Sequence, residues 1–134
     1  MLDGSAVGAD EGTFTAYDVI TGFDTLVDHI DHNGIALSKT FVIANTLGAA
    51  DLAAANFADV DSVLAFLNDA TVEDTIAADD ADYVLNEDIV VAVTLGDGTT
   101  AIYELNDVAA GTLIAADISL LAVVDTTMVI GDFM

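Results

Sequence analysis

The side chains of this chain that could do chemistry are carboxylates, and their spacing suits a hard cation. One set recurs between apolar anchors and a second lies in the most acidic segment: Asp18, Asp24, Asp28 and Asp31, then Asp79, Asp80 and Asp82. The anchors of the first set can face a core while the carboxylates gather at loop edges, as calcium coordination requires. We predict calcium as the bound ion and these aspartates as its ligands. The alternative is that they are solvated residues of turns and loops.

The negative charge of the chain requires counterions that the chain itself does not supply. Its 24 acidic residues face one basic residue, Lys39, and the formal net charge is −23. Like charges at this density destabilise a compact state, and internal salt bridges cannot offset them. Most of the acids are aspartate, a residue of turns, caps and compact oxygen cages, which again favours calcium. The same charge repels nucleic acid and anionic membranes, so we expect neither as a partner.

Catalytic chemistry has little support in the sequence. There is no cysteine, which excludes disulfides, thiolate metal sites and a cysteine nucleophile. His29 and His32 are three residues apart, but the flanking pattern is extended or looped, so we expect loop histidines rather than zinc or copper ligands. The chain also lacks a G-x-S-x-G elbow, a phosphate-binding loop and arginine. We therefore expect that it is not an enzyme; a paired-carboxylate hydrolase is the remaining catalytic alternative.

The length and composition predict one domain. A chain of 134 residues with 54% hydrophobic content can bury a single core, so we assign residues 1–134 to one domain, with 1–12 as a glycine-rich arm. The N-terminus lacks the basic flank and apolar block of a cleavable signal peptide. The most apolar window, Val108 to Val124, is short and interrupted by Gly111 and Asp117. We expect no membrane insertion.

The pattern of elements predicts an α+β fold, mainly an antiparallel β-sheet with one or two short helices packed on it. Strands are expected near residues 13–20, 39–46, 88–95, 100–106 and 118–124. The pair around Gly96-Asp97-Gly98 favours a β-hairpin. Residues 49–56 are alanine-rich, and apolar residues at helical spacing follow from Val60, with Asp59 as a natural N-cap, so helices are expected between 49 and 68. Residues 71–88 are expected to form an acidic loop.

Two segments resemble a known family. The pattern D-x-I-x-x-F from Asp18, followed by D-x-I from Asp28, is similar to the segment that closes the calcium-binding β-roll of RTX proteins, which bacterial type I secretion systems export. The stretch T-T-A-I-Y-E-L-N-D and the ending G-D-F-M resemble the C-terminal region of such proteins, including S-layer and adhesin chains. The resemblance implies an uncleaved secretion signal within residues 88–134, with Gly131 to Met134 as its terminal signature. No G-G-x-G-x-D repeat occurs, so the calcium sites of the β-roll are not carried over.

The resemblance implies a function outside the cell. The first expectation is a calcium-dependent structural protein that is exported by the type I secretion machinery and assembles into a surface layer, matrix or fibre. The first alternative is a C-terminal secretion and folding module of a larger RTX-type adhesin or enzyme, because in the family this region follows a long repeat array or an enzymatic domain. The second alternative is an acidic protein of a halophile.

Self-assembly is also expected from the residues themselves. Ile89 to Leu95 is uncharged, apolar on both faces and free of proline, a profile typical of a strand that pairs with any available edge. The hairpin is then either the middle of its own sheet or an element shared between subunits, and the N-terminal arm could add to a neighbour's edge. We predict homo-oligomers or polymers in which Val91 and Val93 are inaccessible.

Overall fold

The protein is an α+β domain, as the sequence predicts. The computed structural model describes residues 5–6, 12–31, 39–79, 89–106 and 113–134. The strands are β1 (Ser5–Ala6), β2 (Asp18–Ile20), β3 (Thr40–Ala44), β4 (Ile89–Thr94), β5 (Thr100–Leu105) and β6 (Ile118–Val124), and the helices are α1 (Val60–Leu67) and α2 (Ala70–Asp79). Within these ranges, no helix is long and apolar enough to cross a membrane.

All six strands belong to one mixed sheet. The order is β1-β6-β5-β4-β3, and β2 also pairs with β6, beyond the point where β1 ends. The β1–β6, β4–β5 and β5–β6 pairs are antiparallel, whereas β3–β4 and β2–β6 are parallel. Within the described residues, the sheet therefore ends at β3 on one side and at the combined β1–β2 edge on the other.

The β4–β5 hairpin forms where the sequence predicts it. The Leu95 N–H donates to the Thr99 carbonyl at 2.8 Å, and Gly98 closes the turn with a φ of +87°. This left-handed backbone favours glycine, which has no Cβ to clash. The Asp97 carboxylate accepts hydrogen bonds from the Thr99 hydroxyl and N–H, which hold the pKa of Asp97 below its usual value.

Strand β4 lies in the centre of the sheet and is covered on both faces. Ile89, Val91 and Val93 pack with the residues of α1 and α2, while Val90 and Ala92 belong to a second cluster on the opposite face. All five side chains are fully buried within the single chain. Of the two alternatives for the hairpin, the middle of its own sheet is therefore correct, and the hairpin shared between subunits is not.

Helix α1 confirms the predicted N-cap, whereas the preceding alanine-rich helix does not form. The Asp59 carboxylate accepts from the Ser62 hydroxyl at 2.5 Å and from its N–H at 3.0 Å, and both bonds lower the pKa of Asp59. Residues 49–56 contain only the 3₁₀ turn Ala54–Asn56. Asn45 holds this segment in place through two hydrogen bonds with Leu52. The Leu52 N–H donates to the Asn45 carbonyl, and the Asn45 side-chain Nδ2 donates to the Leu52 carbonyl.

Two further predictions of secondary structure are wrong in part. The strand expected over residues 13–20 is confined to β2, because Phe14 instead turns inward against the Tyr103 ring, with 6.2 Å between ring centroids. The acidic stretch expected as a loop from residue 71 is helical as far as Asp79. Val72 and Ile76 are one helical turn apart and fully buried. Their burial outweighs the local preference of the surrounding acidic residues for a loop.

Replacement of Tyr103 by phenylalanine tests the packing between sheet and helices. Tyr103 is fully buried, its hydroxyl donates to the Phe57 carbonyl at 2.5 Å, and burial raises its pKa. The fold therefore holds the neutral phenol. The contribution of Tyr103 to the free energy of unfolding is constant below the unfolded pKa of about 10 and falls above it, by up to about 1.4 kcal/mol per pH unit. Tyr103→Phe should lower the free energy of unfolding by about 1–3 kcal/mol at neutral pH. It should also reduce the further loss of this free energy at alkaline pH.

Urea unfolding between pH 7 and 11.5 measures both effects. Tyr17→Phe is the matched control, since it removes a phenol from a partly exposed ring that contacts Phe57 edge-on. If the free energy of unfolding falls with the same slope against alkaline pH in wild type and Tyr103→Phe, this account is contradicted.

Candidate functional site

The two segments that carry the family resemblance meet in space. Strand β2 and the turn after it, residues 18–31, contact the C-terminal residues 125–134, and we call these two segments together the terminal unit. The Ile30 N–H donates to the Asp132 carbonyl at 2.7 Å, and the Met134 N–H donates to the Ile30 carbonyl at 3.0 Å. Ile30 and Phe133 thereby form an isolated parallel bridge. The D-x-I segment and the G-D-F-M ending are thus neighbours in the folded protein.

Asp125 fastens the other end of the terminal unit. The Gly22 N–H donates to the Asp125 Oδ2 at 2.7 Å, and the Asp125 N–H donates to the Ile20 carbonyl at 3.0 Å. Gly22 has a φ of +72°, so the turn needs glycine at this position. The interaction anchors the start of the 21–31 turn to the end of β6.

The predicted terminal signature is part of the core. Ile130–Asp132 forms a 3₁₀ turn in which the buried Asp132 Oδ2 accepts the Val129 N–H at 2.7 Å. Phe133 is only 3% exposed and packs with Val90 and Ala92 beneath the sheet, whereas Met134 is 62% exposed. The last residues therefore cover the sheet face opposite the helices.

An open cleft lies beside the terminal unit. Its volume is about 620 Å³, and it is lined by Ile20, Thr21, Gly22, Phe23, Val27, Asp28, His29, Ile30, Asp31 and Met134. Two predicted calcium ligands, Asp28 and Asp31, and one predicted loop histidine, His29, belong to this lining. Carboxylates and an imidazole thus border one cavity.

Asp24 and Asp28 are brought together, but by their own turn. The Asp28 Oδ2 accepts the Asp24 N–H at 2.9 Å, and the Asp24 Oδ1 accepts the Leu26 N–H at 2.9 Å. The Asp28 N–H also donates to the Asp24 carbonyl at 2.7 Å. Each carboxylate thus uses one of its oxygens to close the turn.

The remaining predicted ligands are distributed along the chain. Asp18 begins β2, Asp31 follows Ile30, and Asp79 ends α2. Asp80 and Asp82 lie outside the described residues, as does His32. Among the residues that the structure describes, no three acidic or histidine side chains are grouped closely enough to hold a metal ion. Calcium binding by these aspartates stays a prediction.

A second surface, which the sequence reasoning missed, follows the outer edge of β3. A groove of about 450 Å³, here called the edge groove, is lined by Thr40, Phe41, Val42, Ile43, Thr75, Val129 and Ile130. None of these side chains carries a charge, in a chain with 24 acidic residues. Val129 and Ile130 are exposed there at 58% and 47%. The only signal in the sequence was the uncharged run Thr40–Ala44, but which strand ends the sheet depends on the strand order.

Comparisons with protein families, with curated proteins and with solved structures found no match for this chain. The resemblance to the C-terminal region of RTX proteins consequently rests on the residues quoted above and stays a prediction. The structure adds that the segments carrying it form one packed unit.

Replacement of Phe133 should show that the C-terminal residues belong to the core. Phe133→Ala removes a buried ring from the cluster beneath the sheet and should lower the free energy of unfolding by about 3–5 kcal/mol. Met134→Ala, at the exposed neighbouring position, should change it by less than about 0.5 kcal/mol. Chemical denaturation of the two variants measures this contrast, and equal losses would contradict the described packing of the tail.

Proposed function

We propose that this chain is an extracellular, calcium-dependent structural protein that self-assembles into a surface layer, matrix or fibre after type I secretion. The observation that carries the proposal is the edge groove, an uncharged sheet edge on a chain of net charge −23. Soluble proteins usually guard a free sheet edge with lysine, proline or a covering segment. This chain has no proline, and its single lysine, Lys39, directly precedes β3 rather than lying within the strand. An uncharged open edge supports strand pairing with another copy.

Charge explains why assembly would depend on calcium. Two copies that each carry −23 repel one another over about a Debye length, roughly 8 Å at physiological ionic strength. A divalent cation that binds carboxylates lowers this repulsion more than monovalent salt at the same ionic strength. Asp24, Asp28 and Asp31, beside the cleft and in its turn, are the described carboxylates we expect to contribute.

The terminal unit favours a second candidate, a secretion and folding module of a larger protein. Its two segments close the sheet face opposite the helices through the Ile30–Phe133 bridge and the Asp125 contacts with Gly22. A C-terminal tail that completes the core links the arrival of the last residues to folding. That arrangement suits a tail that leaves the cell unfolded and then folds outside. In this candidate the edge groove would pair within the larger chain rather than between copies.

Calcium should convert the purified chain from monomers to polymers and raise its melting temperature. Binding to the folded state alone stabilises that state by mass action, and neutralisation removes the repulsion between copies. Sedimentation, electron microscopy and thermal unfolding should be compared in calcium, magnesium and sodium chloride at matched ionic strength. If sodium chloride reproduces the effect, generic screening suffices and the calcium part of the proposal fails. A monodisperse monomer at high concentration in saturating calcium favours the secretion module instead.

Residues 88–134 should direct export of a passenger protein. A slow-folding reporter fused to this tail should reach the medium in a strain with a matching type I transporter. The controls are the reporter without the tail and the same fusion in a strain that lacks the transporter. A reporter found only inside cells, with expression and a working transporter confirmed, would count against the export signal.

A further inference from the structure

We propose that the edge groove along β3 binds the β1–β2 edge of a second copy of this chain, so that one sheet continues into the next. The inference deepens the proposed self-assembly and rests on it. It commits to a head-to-tail contact between the two opposite edges of the sheet.

The two edges run in the same direction and lie at matching heights. Strands β4 and β6 are each antiparallel to β5, so they run in the same direction. Because β3 is parallel to β4 and β2 is parallel to β6, β3 and β2 are also parallel. The register across the sheet aligns Val42 with Asp18 and Ala44 with Ile20. A copy translated across the strands without rotation would therefore set its β2 beside β3 in parallel pairing.

The backbone of β3 offers hydrogen-bonding groups to such a strand. The Asn45 N–H donates to the Thr94 carbonyl, so the odd-numbered residues of β3 bond to β4. By the alternation of a β-strand, the N–H and carbonyl groups of Val42 point away from β4, as does the N–H of Ala44. No strand in the described part of the chain pairs with this side of β3. The addition of a strand satisfies such groups.

The side chains at the two edges are both apolar on the helix-covered face of the sheet. On the helix-covered face, the register aligns Val19 of β2, which is 68% exposed, with Ile43 of the edge groove. On the opposite face, Val42 lines the groove together with the exposed Val129 and Ile130, and the register aligns Val42 with Asp18 of the neighbour. Joining the edges would bury the apolar surface of Val19, and it would require that the Asp18 carboxylate beside Val42 be neutralised by a cation.

Contact between two different edges has a consequence for the shape of the assembly. Each copy would use its β3 edge on one neighbour and its β1–β2 edge on the other, so the contact repeats without closing as a dimer. A two-fold contact of β3 with β3 would instead stop at two copies. Head-to-tail pairing therefore predicts fibres or sheets, and it can be distinguished from a dimer by cross-linking.

Cysteine cross-linking tests the pairing, since the native chain has no cysteine. The variant with both Ala44→Cys and Ile20→Cys, assembled in calcium and then oxidised, should give a ladder of covalent oligomers. Each single-cysteine variant should stay monomeric on a denaturing gel. The variant with Ala65→Cys on the exposed surface of α1 and Ile20→Cys is the matched control and should give no ladder.

Edge-blocking variants test the same contact without cross-linking. Val42→Pro removes an N–H that points away from β4 and so spares the β3–β4 pairing; it should raise the concentration needed for assembly by roughly tenfold. Ala44→Asp places a carboxylate at the exposed edge and should act in the same direction. Ala65→Asp adds the same charge on α1 and should assemble like wild type. Thermal unfolding of each variant confirms that its fold is retained.

The outcomes separate this inference from the proposed function. Polymers that form in calcium without the Ala44–Ile20 ladder, and that tolerate Ala44→Asp, would overturn the edge pairing while self-assembly stands. Covalent dimers from Ala44→Cys alone would show two-fold pairing of β3 and would also overturn it. A chain that stays monomeric with every cation would overturn both the edge pairing and the proposed assembly.

Discussion

The whole fold depends on covering both faces of β4. Ile89, Val91 and Val93 point to one face and Val90 and Ala92 to the other, and every one of these side chains is fully buried. Such a strand is stable only in the middle of a sheet with a layer on each side. Helices α1 and α2 form one layer, and the terminal unit forms the other. The C-terminal residues are therefore as much a part of the core as the helices.

The aspartates are explained in part by this architecture. In the described residues, many of them accept backbone N–H groups that turns and helix starts leave without partners: Asp24, Asp28, Asp59, Asp69, Asp97, Asp117, Asp125 and Asp132. Most of these bonds join groups two to four residues apart, a distance that the short aspartate carboxylate reaches more readily than glutamate, while Asp69 and Asp125 also bond distant segments. Asp69, for example, accepts from Ala49 and Thr71, and these bonds lower its pKa. The preference for aspartate thus has a structural cause that operates without calcium, while the net charge still requires counterions.

The charge also shapes how the chain can meet other copies of itself. In the proposed assembly, repulsion between copies would protect the sheet edges as lysine and proline do in other proteins. This protection depends on solution conditions, because cations weaken it. The edge groove has no acid of its own, so its availability to a partner is set by the charge of the rest of the surface. A soluble form and an assembled form would then differ in bound cations rather than in fold.

The sequence by itself determined the local elements whose patterns were strong. The hairpin around Gly96-Asp97-Gly98 and the Asp59 cap of α1 could be predicted, because turn glycines and capping aspartates act over a few residues. The apolar run Ile118–Val124 would also suit a short helix, and its pairing with β5 makes it a strand. The α+β class followed from the same patterns. In the candidate site, only the turn between Asp24 and Asp28 was of this local kind.

Tertiary structure decided the remainder. Residues 13–17 look like a strand but lie outside the sheet because Phe14 finds a buried place against Tyr103. The acidic segment from residue 70 is a helix because Val72 and Ile76 reach the core. The meeting of Ile30 with Phe133, and the choice of β3 as the open edge, depend on strand order and on contacts between residues far apart in the chain. Local propensity carries no information about such pairings, since their free energy comes from burial that exists only once the sheet has formed.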